Sequence, residues 1–143
     1  MVQGPNISPR VPPNVKFEID DAEEDWTFRE QFDFIHCRYL ATAIQDWPKL
    51  AKQAFENIVP GGFVEFQDFD LLYYSEDDSL KEDHSVYKWI TELLDAARSF
   101  HRDPCPGTSL ERIVEEAGFE NVDVQKYRLP IGPWPKDKHL VSP

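Results

Sequence analysis

Two runs decide the fold: Phe32-Asp33-Phe34-Ile35-His36-Cys37-Arg38 and Val59-Pro60-Gly61-Gly62-Phe63-Val64-Glu65-Phe66. Aromatic and β-branched residues crowd into short stretches in both, which predicts strands at 32–36 and 63–69. Between them Asp46 is placed to cap a helix and Pro48 suits its first turn, while Leu50, Ala51, Ala54, Phe55 and Ile58 recur at helical spacing. Pro60-Gly61-Gly62 reads as the stop to that helix and the corner into the second strand. Phe63, Val64, Phe66 and Phe69 put large side chains on both faces of that strand, the pattern of a strand covered on both sides, so a central one is expected.

Outward from this unit, 15–19 is a further short strand candidate that runs into the acidic stretch 20–25 ahead of Trp26. On the other side, Val86, Ile90, Leu93, Leu94, Ala97 and Phe100 mark one stripe of a long helix over 84–100, which needs a sheet to lie on. A shorter helix is predicted from Ser109, capped by Thr108, to Gly118, a residue type suited to a left-handed stop. A last strand is expected over 122–129. Strands alternating with helices give an α/β fold with a mainly parallel sheet. Pro5, Pro9, Pro12 and Pro13 make 1–14 an extended lead-in, and 15–143 the domain.

The chain has 143 residues, 41% of them hydrophobic and 13% aromatic, too rich in large apolar groups for a disordered segment. Its formal charge of -12, from 27 acidic and 15 basic residues, repels phosphate backbones and anionic lipid surfaces, so neither nucleic acid nor membrane is an expected partner. No run has the length of a membrane span and the start does not read as a secretion signal; an intracellular protein, cytoplasmic or nuclear, is expected. Cys37 and Cys105 lack the paired spacing of a disulfide framework or zinc site, and His84 and His101 have no ligand spacing with each other or with the cysteines. Free thiols and no metal are expected.

The strand, helix, Pro-Gly-Gly and strand succession resembles strands four and five of class I S-adenosylmethionine-dependent methyltransferases. Val11-Pro12-Pro13-Asn14, Phe17-Glu18-Ile19-Asp20-Asp21-Ala22-Glu23, Asp46-Trp47, Gln53-Ala54-Phe55, Val64-Glu65-Phe66-Gln67, Ala117-Gly118-Phe119 and Leu129-Pro130-Ile131-Gly132-Pro133-Trp134-Pro135-Lys136-Asp137 narrow this to a resemblance to the fungal LaeA-like methyltransferases of secondary metabolism. Seven pieces in family order run through nearly the whole chain.

The resemblance implies a partial Rossmann-like sheet flanked by helices, truncated at both ends. The family's first strand, its Gly-x-Gly-x-Gly turn and its last strand match nothing between Met1 and Pro143. That turn lets backbone approach the cofactor and opens a helix with unpaired N–H groups, so weakened binding of S-adenosylmethionine by this chain alone is expected. By the family's strand order only the 32–36 and 63–69 strands would be neighbours. Unpaired strand edges are costly when buried, which predicts a rearranged sheet, strand exchange in a homodimer, or completion by another chain.

Residue by residue, the resemblance places Asn6 where an acidic residue usually accepts from the ribose hydroxyls, and Asp21 and Ala22 beside the adenine, against the plainer reading of a solvated acidic loop. His36 and Arg38, at the carboxyl end of a strand where open α/β sheets hold ligands, stand near the cofactor. Imidazoles exchange protons near neutral pH, so His36 is the candidate base, against the reading of a hydrogen-bonded strand-end histidine. Cys37 reads as a small buried hydrophobe. Glu65, Gln67 and Asp68 lie near where a methyl acceptor would sit, and a buried acid there would need a partner such as Arg38. Tyr39, Trp47, Asp68, Tyr73 and Trp134 are the candidate lining of a pocket for a hydrophobic small molecule, with Tyr74 nearby and Trp89 read as core.

Two functions stay open at this point. One is methyl transfer from S-adenosylmethionine. The other is a non-methylating relative, acting as an interaction or regulatory subunit or as a binder of a small molecule whose reaction it guides.

Overall fold

The computed structural model of the chain describes residues 12–131. The order of elements is β1 (Phe32–Arg38), α1 (Trp47–Glu56), β2 (Ile58–Gln67), α2 (Ser85–Ser99), a 3-10 turn (Pro106–Thr108) and α3 (Leu110–Ala117). β1 and β2 pair in parallel around the α1 crossover, the strand, helix, strand unit of a partial Rossmann-like α/β fold.

α1 starts as its sequence dictates. The Asp46 side chain accepts from the Lys49 N–H, satisfying one of the donors left free at a helix start, and Pro48 occupies the first turn. Trp47, Leu50, Ala51 and Ala54 are buried on its inner face. Trp47, Leu50 and Ala51 pack with Ile44, Ile113 and Val114, and half-buried Phe66 and Phe119 close the cluster. α3 lies against α1 and stops at Gly118, whose φ of 111° is in the left-handed region. A Cβ at Gly118 would stand 2.9 Å from the Phe55 ring, so this stop also needs a side chain no larger than hydrogen.

Several expectations are corrected. Pro60-Gly61-Gly62 does not stop α1, which ends at Glu56; it lies inside β2 as an irregularity that carries the register from Phe32↔Ile58 to Phe34↔Phe63. Ile58 therefore opens a strand rather than closing a helix, and β2 ends at Gln67, not Phe69. β2 is not a central strand among the described residues: β1 is its one partner there and Phe63 is 74% exposed. At 15–19 only Ile19 makes a single bridge, and 122–129 forms no strand; Phe17, Tyr127 and Leu129 are exposed. Among the described residues neither segment finds a neighbouring strand to give it a ladder.

The stripe of α2 is only partly used. Ile90 and Leu94 are buried against Leu71, Tyr73 and Cys105, not on the sheet, while Val86, Leu93 and Phe100 stay exposed. His84 caps α2 through Nδ1, which accepts from the Val86 N–H. Ser109, not Thr108, takes the cap position of α3, and the Thr108 hydroxyl donates to the Cys105 carbonyl within the preceding 3-10 turn. None of the described helices is long and apolar enough to cross a membrane.

Candidate functional site

The α1 and α3 layer covers one face of the two-stranded sheet. Ile35, Cys37, Val64 and Phe66 are partly buried on that side, and Trp47 meets Phe66 edge to face at 6.4 Å. Among the described residues no helix or strand packs on the other face. Strand alternation puts three facing pairs of the parallel register there: Phe34↔Phe63, His36↔Glu65 and Arg38↔Gln67. It thus grades from aromatic at the amino end to charged at the carboxyl end, the end where open α/β sheets bind ligands.

His36 Nδ1 and Glu65 Oε2 are 2.9 Å apart, and both side chains are accessible, at 35% and 56%. A carboxylate only accepts, so Nδ1 carries the hydrogen, and in the neutral form of that tautomer the lone pair is on Nε2. The Phe34 ring lies roughly parallel to the imidazole, with centroids 6.2 Å apart and planes at 23°. Glu65, which is exposed, has His36 as its partner, and Arg38, a candidate partner for a buried acid in this stretch, pairs with neither Glu65 nor Asp68. Arg38 turns to Tyr39 instead: its guanidinium donates to the Tyr39 hydroxyl at 3.0 Å and lies 4.3 Å from the ring centroid.

Asp68, just past β2, faces backbone rather than open space. Its Oδ2 accepts from the Leu40 N–H at 2.6 Å and the Ala41 N–H at 2.9 Å, and Oδ1 accepts from the Phe69 N–H at 2.9 Å. Tyr39 and Asp68 are thereby brought together at the carboxyl end of the sheet. The other candidates are not: Trp47 is buried under the sheet with its Nε1 donor lacking a partner among the described residues, and Tyr73 packs beside Trp89 beneath α2. Asn6 and Trp134 lie outside the described residues.

Asp21 and Ala22 sit in a loop pinned to α1. Buried Gln53 takes the Trp26 N–H on Oε1 at 2.8 Å and donates to the Ala22 carbonyl at 3.3 Å; the Trp26 indole donates to the same carbonyl at 3.1 Å. Asp21 Oδ1 accepts from the Glu23 N–H, and its Oδ2 has no partner among the described residues. Beside it Glu23 ties three loops together. Its Oε1 accepts from the N–H groups of Gln45 and Asp46, and its Oε2 from Arg102 at 2.8 Å; Arg102 also donates to the Ala43 carbonyl. Partial burial alone would push the Glu23 carboxyl up, but the hydrogen bonds from Gln45, Arg102 and Asp46 outweigh it and hold the carboxyl below the ordinary value of 4.5.

Sequence reasoning missed Glu23, Gln53 and Arg102. A signal existed for Gln53, a polar residue on the apolar stripe of α1. Glu23 stood at the end of a family motif, but nothing local pointed to its pairing with Arg102, which it meets across 79 residues. Next to them a shallow groove of about 430 Å³ is lined by Thr42, Gln45, Arg102, the α2 residues Leu93, Ala96 and Ala97, and Phe100 just past the end of α2. Burial pushes the Cys37 thiol up to about 11, which suits a packed apolar group and not a nucleophile. Among the described residues no cluster of three His, Cys, Asp or Glu side chains could hold a metal.

Comparison with known proteins gives one consistent result. The family described as "Methyltransferase domain" matches residues 2–124. The methyltransferase pytC of Aspergillus terreus is 39% identical over 98% of this chain and 44% of its own length. The probable methyltransferase tdiE of Emericella nidulans is 36% identical over 85% of this chain and 38% of its own length. The secondary metabolism regulator laeA of Aspergillus fumigatus is 31% identical over 96% of this chain and 39% of its own length. The chain thus spans less than half the length of these relatives. No solved structure matches it.

Proposed function

The chain belongs to the methyltransferase domain family, and on that premise we propose that it serves S-adenosylmethionine-dependent methyl transfer in secondary metabolism, inside the cell. Similarity to fungal proteins named as methyltransferases and as secondary metabolism regulators supports the setting. The observation that supports the chemistry is the His36–Glu65 pair toward the carboxyl end of the two strands.

When bound, S-adenosylmethionine supplies an electrophilic methyl group on a sulfonium. The residues present fit part of such a molecule. Asp21 has a carboxylate oxygen without a partner among the described residues that could accept from an adenine amine, and Ala22 adds no bulk beside it. His36 and Arg38 flank the carboxyl end of β1. In the reaction, His36 Nε2 takes the proton of an acceptor hydroxyl or amine, while Glu65 holds the opposite ring nitrogen and stabilises the imidazolium that forms. Arg38 and Tyr39 border the site and orient the acceptor, and the exposed Phe34 and Phe63 favour an apolar, aromatic one.

Only two strands frame the ligand edge within the described residues. We therefore take the affinity of this chain alone for S-adenosylmethionine to be low, and a second chain, a further copy or a complementing polypeptide, to complete the crevice. Calorimetric titration with S-adenosylmethionine, and sedimentation with and without it, test this directly. Binding together with transfer of labelled methyl to a small molecule supports the reading. No binding at millimolar cofactor in any assembly state sinks it and leaves the non-methylating reading, an interaction subunit or a binder of a hydrophobic small molecule.

A further inference from the structure

The turn after β1 is held in a conformation its residues do not favour. Tyr39 and Thr42 both have positive φ, 57° and 64°, and neither is glycine; for β-branched Thr42 this is a true outlier. Such backbone persists only where its surroundings fix it. Here three contacts do so: the Tyr39 N–H donates to the Gln67 carbonyl, the Thr42 N–H donates to the Asp103 carbonyl, and between them the Asp68 carboxylate takes the N–H groups of Leu40 and Ala41 on one oxygen. The middle contact is charge-assisted and is the one made by a side chain.

We propose that Asp68 is the positioning residue of this site. It does not face substrate; it locks the turn against the end of β2. The lock sets the Tyr39 ring between the Arg38 guanidinium at 4.3 Å and the Phe69 ring at 5.5 Å, and so fixes where Arg38 and Tyr39 stand relative to the His36–Glu65 pair. The functional meaning of that placement rests on the methyl-transfer reading; the lock itself does not.

The test uses the full chain with Asp68→Ala and Asp68→Asn, followed by nuclear magnetic resonance. Alanine has no acceptor, whereas asparagine keeps one oxygen that can take both N–H groups. In Asp68→Ala the Leu40 and Ala41 amides should exchange with solvent at least tenfold faster while Phe66 in β2 is unchanged, and the Arg38 side-chain protons should lose the upfield displacement given by the Tyr39 ring. Asp68→Asn should restore both. A general loss of stability would not move the Arg38 signal in the folded protein. Unchanged amides and an unchanged Arg38 signal in Asp68→Ala overturn the proposal. If Asp68→Ala does not fold, scalar coupling across the hydrogen bonds from the Leu40 and Ala41 nitrogens to the Asp68 carboxyl carbon in the wild type supports the lock, and its absence overturns it. A separate titration with S-adenosylhomocysteine should show at least tenfold weaker binding in Asp68→Ala. A wild-type chain that binds none sinks the methyl-transfer reading alone, and the turn measurements still decide the lock.

Discussion

His36 and Glu65 face each other across the parallel ladder, two residues in register whose side chains close a 2.9 Å hydrogen bond on the face of the sheet that no described helix or strand covers. Neither residue has to search for the other, because the backbone pairing places them. An orienting carboxylate behind an imidazole is a device for proton transfer, and its accessibility means that stability depends on it little.

The first prediction follows from that separation of roles. His36→Ala should lower methyl transfer by about a hundred- to ten-thousandfold, while unfolding in urea changes by less than about 0.5 kcal/mol. Glu65→Gln should fall between wild type and His36→Ala, since the amide can still accept at Nδ1 but no longer balances the charge formed on the ring. Labelled-methyl transfer into a small-molecule extract, read beside urea melts, checks both.

Gly118 should be intolerant of any side chain. The left-handed φ costs a non-glycine residue about 1 kcal/mol, and the added Cβ would press on the Phe55 ring, which itself packs edge to face on Phe119 at 5.1 Å. Gly118→Ala should therefore destabilise by roughly 2–4 kcal/mol in total. A urea midpoint within experimental error of wild type would refute this account of how α3 ends.

Glu23 should make the protein sensitive to acid. Its carboxyl is held below 4.5 in the folded chain, so its stabilising contribution is complete above the unfolded value of 4.5 and is lost as pH falls through the lower folded value. Glu23→Gln should be less stable than wild type at pH 7, and the gap should narrow below pH ~4. Chemical melts of both proteins across pH 3 to 7 measure the gap; a constant difference over that range would remove the carboxylate from the explanation.

The two thiols should be slow to alkylate. Burial pushes Cys37 to about 11 and raises Cys105, whose burial outweighs a weak backbone contact at Leu71. With Cys37 at that value, roughly one thiol in a thousand is ionised at pH 8. Iodoacetamide at pH 8 should label neither in the native protein and both in urea, as read by intact mass. Rapid native labelling of Cys37 would show that the α1-facing side of β1 opens easily.

Much of the local architecture was legible in the residues. Asp46 and Pro48 announce the start of α1, Gly118 announces the end of α3, and the apolar runs around His36 and Phe66 announce two strands. Each is decided within a few residues by capping, by conformational freedom or by side-chain shape. The run at 15–19 and the run at 122–129 carry the same local signature yet form no strands, because a strand also needs a neighbour to receive its hydrogen bonds and composition does not say where one is.

The sequence by itself determined that a parallel strand, helix, strand unit exists and that His36 lies in the carboxyl-terminal half of its first strand. Only the tertiary structure decided the pairings. Register gave Glu65 to His36 and not to Arg38, and chain folding brought Arg102 to Glu23 and the Leu40 and Ala41 amides to Asp68. The reason is physical: helix caps and strand propensities are short-range and written in neighbouring residues, whereas the partner of a charged side chain is set by how distant backbone segments are placed in space.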